Sequence, residues 1–425
     1  MTVSREILKY EFKKINTSPI VVVLFTLFLV FDLLMVFNGN RDREDLSVIN
    51  KIVDNVGYNI NDEMMEKFKV YYNKNLKEAM NIIETKEGKS YKSVSEYIDE
   101  VGNYYLKEKY SYDQVKIIKD TASIENYYTE IPALIKRYDE LSISAMADSL
   151  IKGTKLSGSA EKLARQNFAK FNDRFSEVKE NKEYMQLFFD SSKFIMHEFL
   201  YKDILRTIIL QMMVLIGLLV PSLVNYEFDS GTSLLIYSSK RGRRLINDKL
   251  KVVVSVVLIL STVLLGIVLL TFFYLYDYSR MWNVSINSLF NWEKFIPYIS
   301  WFRLTVKQYL ILMILLTYSC LLIFTAMAFV IGILIKNSYV GSALFAILNS
   351  LGFFMPHLIS GSSVLKIYSA FNPSSLIFNF RYRFIQSEAL TCFKYYELIT
   401  VVVWAVLMAV AMWYSIKRFR RTSIS

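Results

Sequence analysis

Four stretches of this chain carry no charged side chain over lengths that match a bilayer: Val252 to Tyr274, Tyr309 to Ile335, Asn337 to Leu365 and Leu398 to Ile416. Two more are interrupted once each, Ile15 to Asn40 by Asp32 and Ile204 to Asn225 by Arg206. Crossing roughly 30 Å of hydrocarbon at 1.5 Å per residue takes about 20 mostly apolar residues. In that medium every backbone N–H and C=O must be bonded within its own segment, so such stretches fold as helices. The expected fold class is an all-α membrane protein with six transmembrane helices and a mostly helical extracellular domain inserted between helices 1 and 2. The chain is 53% hydrophobic with only 14 Gly and 6 Pro, which excludes an ordinary soluble domain.

Charge sets the orientation. Residues 39 to 202 hold 26 basic and 28 acidic residues, so the net +11 arises entirely outside that segment. It gathers at Arg5, Lys9, Lys13 and Lys14, at Lys240 to Lys251, and at Lys417 to Arg421. The positive-inside rule makes these cytoplasmic and places both termini inside. Because the charges flank apolar spans, they point to a membrane surface and not to nucleic acid. Residues 37 to 40 lack the small residues of a cleavage site, so the first span reads as a retained anchor. The heavy use of Ile, Lys, Asn and Tyr suggests an AT-rich genome, and the expected location is a bacterial cell membrane.

Along the chain, residues 1–18 alternate apolar and basic positions at helical spacing and read as an amphipathic helix in the inner interface. Residues 19–38 form the first span, 39–202 the outer domain, and 203–425 the remaining five spans with a cytoplasmic loop at 225–251. Within 39–202, breaks are expected near Gly57, Gly88, Gly102, Pro132 and Gly153 to Gly158. The stretch from Ala160 to Tyr201 holds no Gly or Pro and reads as one helix running into the second span. The aromatic connections around residues 280–302 and 371–385 read as interfacial anchors, with a substrate-exit surface as the sharper alternative.

Catalytic groupings are absent from the pattern. His197 and His357 are isolated, Cys320 and Cys392 imply no disulfide framework, and Gly88-Lys89-Ser90 has Ile83 where a phosphate loop needs its first glycine. No metal or cofactor site is expected. Asp32 and Arg206 are the charges inside spans, and they read as a structural pair, with an ion or proton site as the alternative. Gln211 and Asn349 are lesser polar candidates.

The loop after the second span, "NYEFDSGTSLLIYSSKRGRRLINDKL", is more ordered than charge placement requires. Gly231 permits a tight turn, Thr232 stands where a helix cap belongs, and Leu234, Leu235 and Ile236 give a short helix an apolar face. The order Glu227, Gly231-Thr232, Leu234-Leu235, Ser238, Arg241, Lys249 resembles the first cytoplasmic loop of the permease subunits of type-2 ATP-binding-cassette exporters. This chain has Ser239-Lys240 where that family often has proline. The lead-in "EILKYEFKKINTSPI", Pro356 and Asn372-Pro373-Ser374 extend the resemblance across all six spans, while residues 39–202 fall outside it.

The resemblance implies a non-enzymatic transport subunit. ATP and Mg would be bound by separate ATP-binding-cassette ATPase subunits, contacted through Glu227, Phe228, Asp229, Gly231, Thr232, Leu234, Leu235 and Arg241. A second permease copy or a paralogue would complete the path. An amphipathic peptide of the bacteriocin or toxin kind, or a lipid-like molecule, is the expected cargo. The alternative is a sensor or mechanical transmitter of the same ATPase class, whose outer domain binds a ligand or envelope partner without transport.

Overall fold

The computed structural model describes residues 2–16, 18–39, 43–190, 198–239, 242–293 and 296–421. A first helix α1 (Thr2–Asn16) precedes α2 (Pro19–Asn38), which leads into six helices: α3 (Arg43–Val56), α4 (Asp62–Glu87), α5 (Val94–Lys109), α6 (Tyr112–Asp139), α7 (Ile143–Gly153) and α8 (Gly158–Glu180). A π-helical turn (Phe199–Leu205) opens α9 (Arg206–Asp229), and the short α10 (Ser233–Ser238) and a 3-10 turn (Gly242–Arg244) lead to α11 (Leu245–Leu275). After two paired two-residue strands, β1 (Trp292–Glu293) and β2 (Ile296–Pro297), come α12 (Val306–Leu334), α13 (Ser338–Leu358), α14 (Val364–Ser369), α15 (Pro373–Phe378) and α16 (Tyr396–Arg421).

Among the described residues, six helices are long and apolar enough to cross a membrane: α2, α9 with its π turn, α11 with its preceding 3-10 turn, α12, α13 and α16. Their length and hydropathy are those of a membrane-embedded protein. The spans are not equivalent, because α9 and α12 are buried along much of their length while α2, α13 and α16 turn apolar faces outward. Ile20, Val23, Leu27, Val30 and Leu34 recur every three or four residues on α2 and are all exposed, a stripe suited to hydrocarbon. Gly217 of α9 lies under the Phe345 ring, where a Cβ would stand 2.8 Å from a ring carbon, so α13 approaches α9 more closely than any side chain there permits.

The inserted helices α3 to α8 sit at one end of the bundle, and α1 and α10 at the other. Their starts are written locally: Asn61, Ser93 and Ser142 cap α4, α5 and α7, and Ser111 with Gln114 forms a capping box on α6. Gly57 and Gly88, both at positive φ, close α3 and α4, and Gly102 kinks α5 at φ 78°. Pro132 does not break the chain as its sequence suggests, since α6 runs straight through it.

Two further expectations are overturned. The stretch from Ala160 to Tyr201 is not one helix: α8 stops at Glu180, residues 181–184 turn with Lys182 at φ 52°, and residues 185–190 continue without helix, bridging to Asn59 at Gln186. Tertiary pairing decides this. Leu187 N–H donates to Tyr58 O (2.8 Å), Ile60 N–H to Met185 O (2.9 Å), and Arg174 grips both oxygens of Glu183 at 3.0 and 2.7 Å. Nor are Phe290, Trp292, Tyr298 and Trp301 of the 280–302 connection interfacial anchors, because they are buried. That segment packs beneath the inserted domain, with Leu289 N–H on Tyr184 O (2.9 Å) and Asn287 Nδ2 on Glu183 (2.9 Å).

A second link joins domain and spans. Ser157 N–H donates to Gly361 O (2.9 Å) and Lys366 Nζ to Thr154 O (3.1 Å). At Gly361 a Cβ would lie 1.8 Å from the backbone oxygen of Lys155, so no larger residue fits without moving backbone. Gly361→Val is therefore expected to open this clip while the bundle stays folded. Hydrogen exchange at the Ser157 amide, and protease cleavage in the 153–158 turn, should both rise; unchanged exchange would show that the clip does not hold the domain.

Candidate functional site

At the end of the bundle away from the inserted domain, α1, α9, α10 and α11 converge on one carboxylate. Glu227, in the last turn of α9, is 0% exposed. Its Oε1 accepts from Lys14 Nζ at 3.0 Å, and its Oε2 accepts from Tyr237 OH at 3.0 Å and from Lys249 Nζ. Lys249, also 0% exposed, donates further to the carbonyls of Leu223 (2.5 Å) and Val224 (3.1 Å). A cation near the C-terminal turn of α9 complements the helix dipole as well as the carboxylate.

Lys14 spans the gap to α1. It donates to Glu11 Oε1 at 2.6 Å and lies 4.3 Å from the centre of the Tyr226 ring. Burial disfavours its ammonium, yet the hydrogen bonds and charges of Glu11 and Glu227 prevail and hold its pKa above the ordinary lysine value. Burial, reinforced by the adjoining Glu227 carboxylate, pushes the Tyr237 phenol far up, so its hydroxyl remains a donor. The Tyr237 ring meets Phe228 and Phe419 at centroid distances of 5.5 and 5.2 Å, and Arg243 donates to Arg420 O at 2.7 Å. The end of α16 therefore braces the same corner.

The turn between α9 and α10 follows from three backbone bonds: Ser230 N–H to Tyr226 O, Gly231 N–H to Phe228 O and Thr232 N–H to Glu227 O. Gly231 takes φ 70°, the left-handed conformation its sequence position suggests. Thr232 occupies the cap position of α10, but its side chain makes no capping bond and its hydroxyl instead pairs with that of Ser230 at 2.9 Å.

The structure thus divides the residues read from the sequence. Glu227 is enclosed, and Phe228 is half-buried. Asp229, Gly231, Leu234 and Leu235 are exposed, the two leucines at 64% and 78%. Arg241 lies outside the described residues. Glu11, Lys14 and Tyr237 were not read as site residues, although Glu11 is a lone acid among Lys9, Lys13 and Lys14, and that contrast was the available signal.

The expected pair of Asp32 and Arg206 does not form. Asp32 accepts from Gln211 Nε2 at 2.8 Å, whereas Arg206 Nη1 reaches the Phe378 carbonyl at 3.4 Å. Arg206 lies five residues before Gln211, about 7.5 Å along the helix, and so at a different depth. Asp32 is 0% exposed, and neither its Oδ2 nor Gln211 Oε1 has a partner among the described residues. Asp32→Asn keeps the acceptor for Gln211 Nε2 and adds a donor for the orphaned Oε1, so thermal unfolding in detergent should show no loss. Asp32→Leu should cost about 1–3 kcal/mol by stranding the amide. The reverse order would place Asp32 in an ionic role.

Asn349, a further amide in the candidate spans, donates to Phe345 O (2.8 Å) and accepts from Ser374 (3.1 Å), locking α13 to α15. Among the described residues no cluster of His, Cys, Asp and Glu has the proximity to hold a metal ion. No protein-family model, curated protein or solved structure matches this chain.

Proposed function

We propose that this chain is the membrane subunit of an ATP-driven exporter of a bacterial cell membrane, and that α10 is the handle by which a separate ATPase moves the spans. The supporting observation is a contrast within six residues. Tyr237 fastens α10 to the buried Glu227 and Lys249, while Leu234 and Leu235 on the same helix are offered outward. A short apolar helix on a rigid footing transmits displacement to the helices that hold it, here α1, α9 and α11. In this reading α10 and both termini face the cytoplasm and the inserted domain lies outside. ATP and Mg sit on the partner ATPases, a second copy or paralogue completes the path, and the cargo is an amphipathic peptide or lipid-like molecule. The chain itself hydrolyses nothing.

Two measurements test it. Tagged chain purified from native membranes should carry ATPase activity, and a preparation without any would overturn the reading. Leu235→Cys should react with impermeant thiol reagents only from the cytoplasmic side; reaction solely from outside would remove the handle from the motor's reach.

A second reading, a sensor or mechanical transmitter, draws on the clip at Gly361 and the buried run 284–292, which join the inserted domain firmly to the spans. ATPase activity that responds to occupancy of the domain, in vesicles that move no cargo, would favour it.

A further inference from the structure

Between the first halves of α12 and α16 runs a groove of about 360 Å³, with Phe302, Leu304 and Phe384 at its head. Leu312, Leu315 and Leu316 of α12 form one wall, and Leu398 and Val401 of α16 the other. Leu315 and Leu398 are 57% and 58% exposed, so the groove opens along the apolar outer face of the bundle.

Its chemistry changes along its length. In the lower part Ser319 spends its hydroxyl proton on Leu315 O at 2.8 Å, which leaves no free donor among the leucines. At the head lies the exposed Lys394, its Nζ 6.0 Å from the centre of the Phe302 ring and 5.6 Å from that of Tyr395, and both rings also line the groove. Arg303, exposed as well, stands in the chain between the lining residues Phe302 and Leu304. Among the described residues neither cation has a carboxylate partner. The acid in the lining is Glu397, which is only 6% exposed; its Oε1 accepts from Phe384 N–H at 2.7 Å, and the buried Arg383 is the opposite charge beside it. Its charge is answered from within, and the two exposed cations are left over.

Position agrees with this division. Lys394 precedes α16 by two residues and Arg303 precedes α12 by three, where apolar spans begin and a bilayer presents its headgroups. Leu312 to Ser319 lie roughly 9 to 20 Å further along α12 at 1.5 Å per residue, at the depth of acyl chains. A helix, about 10–12 Å across with its side chains, does not enter a space of this volume, whereas a single hydrocarbon chain does.

We infer that the groove is a site for one anionic phospholipid, its phosphate held by Lys394 and Arg303 and one acyl chain laid between α12 and α16. The inference needs the membrane setting of the spans and no ATPase partner. A lipid whose phosphate is already balanced by its own cation offers the same chains and binds less tightly. Occupancy fills the seam between the two helices and ties the head of α16 to α12.

The test titrates the full chain in detergent with phosphatidylglycerol and with phosphatidylcholine of identical chains, and counts bound lipid by native mass spectrometry. The first phosphatidylglycerol should bind about tenfold tighter than the first phosphatidylcholine, and Lys394→Gln should lower that preference about fivefold, near the worth of one cation at an anionic surface. Lys394→Arg should keep the preference, and Arg303→Gln with Lys394→Gln should erase it. Leu312→Trp, which puts a ring into the groove, should weaken both lipids alike. Glycerol phosphate, the headgroup chemistry without chains, should not compete. Equal affinity for the two lipids, a preference indifferent to Lys394→Gln, or unchanged binding in Leu312→Trp overturns the assignment. Competition by glycerol phosphate would make this a site for free phosphate, and dimers formed at the expense of lipid would give the groove to a second copy of the chain; either result also overturns it. Lys394 and Arg303 are exposed, so their variants keep the fold, and the charge test stands even where Leu312→Trp does not give monodisperse protein.

Discussion

Glu227→Ala is expected to lower stability by about 3–5 kcal/mol, the cost of stranding one member of a buried ion pair. Lys249 would keep its two carbonyl acceptors on α9 but lose its counter-charge at 0% exposure, and Tyr237 would lose its acceptor at the same moment. Lys14→Met should cost less, because the Lys14 side chain reaches the rim at 13% exposure and Glu227 keeps Lys249. The informative variant is the double change Glu227→Leu with Lys249→Met. Removing both charges together removes the desolvation cost as well as the attraction, so it should recover much of what the single change loses. Thermal unfolding of the purified protein in detergent reads all three. A single-variant loss under about 1 kcal/mol would show that the corner does not depend on this pair.

The dependence of legibility on physical scale is plain along the chain. The six spans could be read because length and hydropathy nearly suffice where the solvent is hydrocarbon. The breaks at Gly57, Gly88 and Gly102 were legible in kind, since the positive φ that ends or kinks a helix there is a property of one residue. What failed required knowledge of depth or of a distant partner. Asp32 was matched with the nearest charge in the second span, but depth selects Gln211, more than a full turn further along α9. The reversal after Glu180 carries no Gly or Pro, and it is imposed by Tyr58, Ile60 and the Arg174–Glu183 pair. Aromatics near the ends of spans look alike in sequence whether lipid or an inserted domain covers them, and here the domain covers Trp292 and Trp301.

The candidate site shows the same division at closer range. Gly231 was legible because positive φ is a property of one residue. The part played by Glu227 was not, because the sequence motif that contains it does not say which of its members face inward. Its acidity suggests contact with a partner, whereas the structure spends that acidity on Lys14 and Lys249 and leaves the outward surface to leucines.

That inversion makes Leu234→Asp with Leu235→Asp the sharper test of the handle. At 64% and 78% exposure the two side chains contribute little to the fold, so stability should change by no more than about 0.5 kcal/mol. In a docked complex, full burial of each leucine is worth about 2 kcal/mol, and a carboxylate in its place must also be desolvated. Together the changes should weaken ATPase binding about a thousandfold or more. A stable, monodisperse variant that has lost its ATPase activity is the expected result, measured by unfolding and by co-purification from the same membranes. Glu227→Ala should also lose the ATPase, but only along with stability, because it releases α10 from its footing. If the leucine variant retains its ATPase, the proposed handle is not α10, and the exposed face of that helix has no part in coupling.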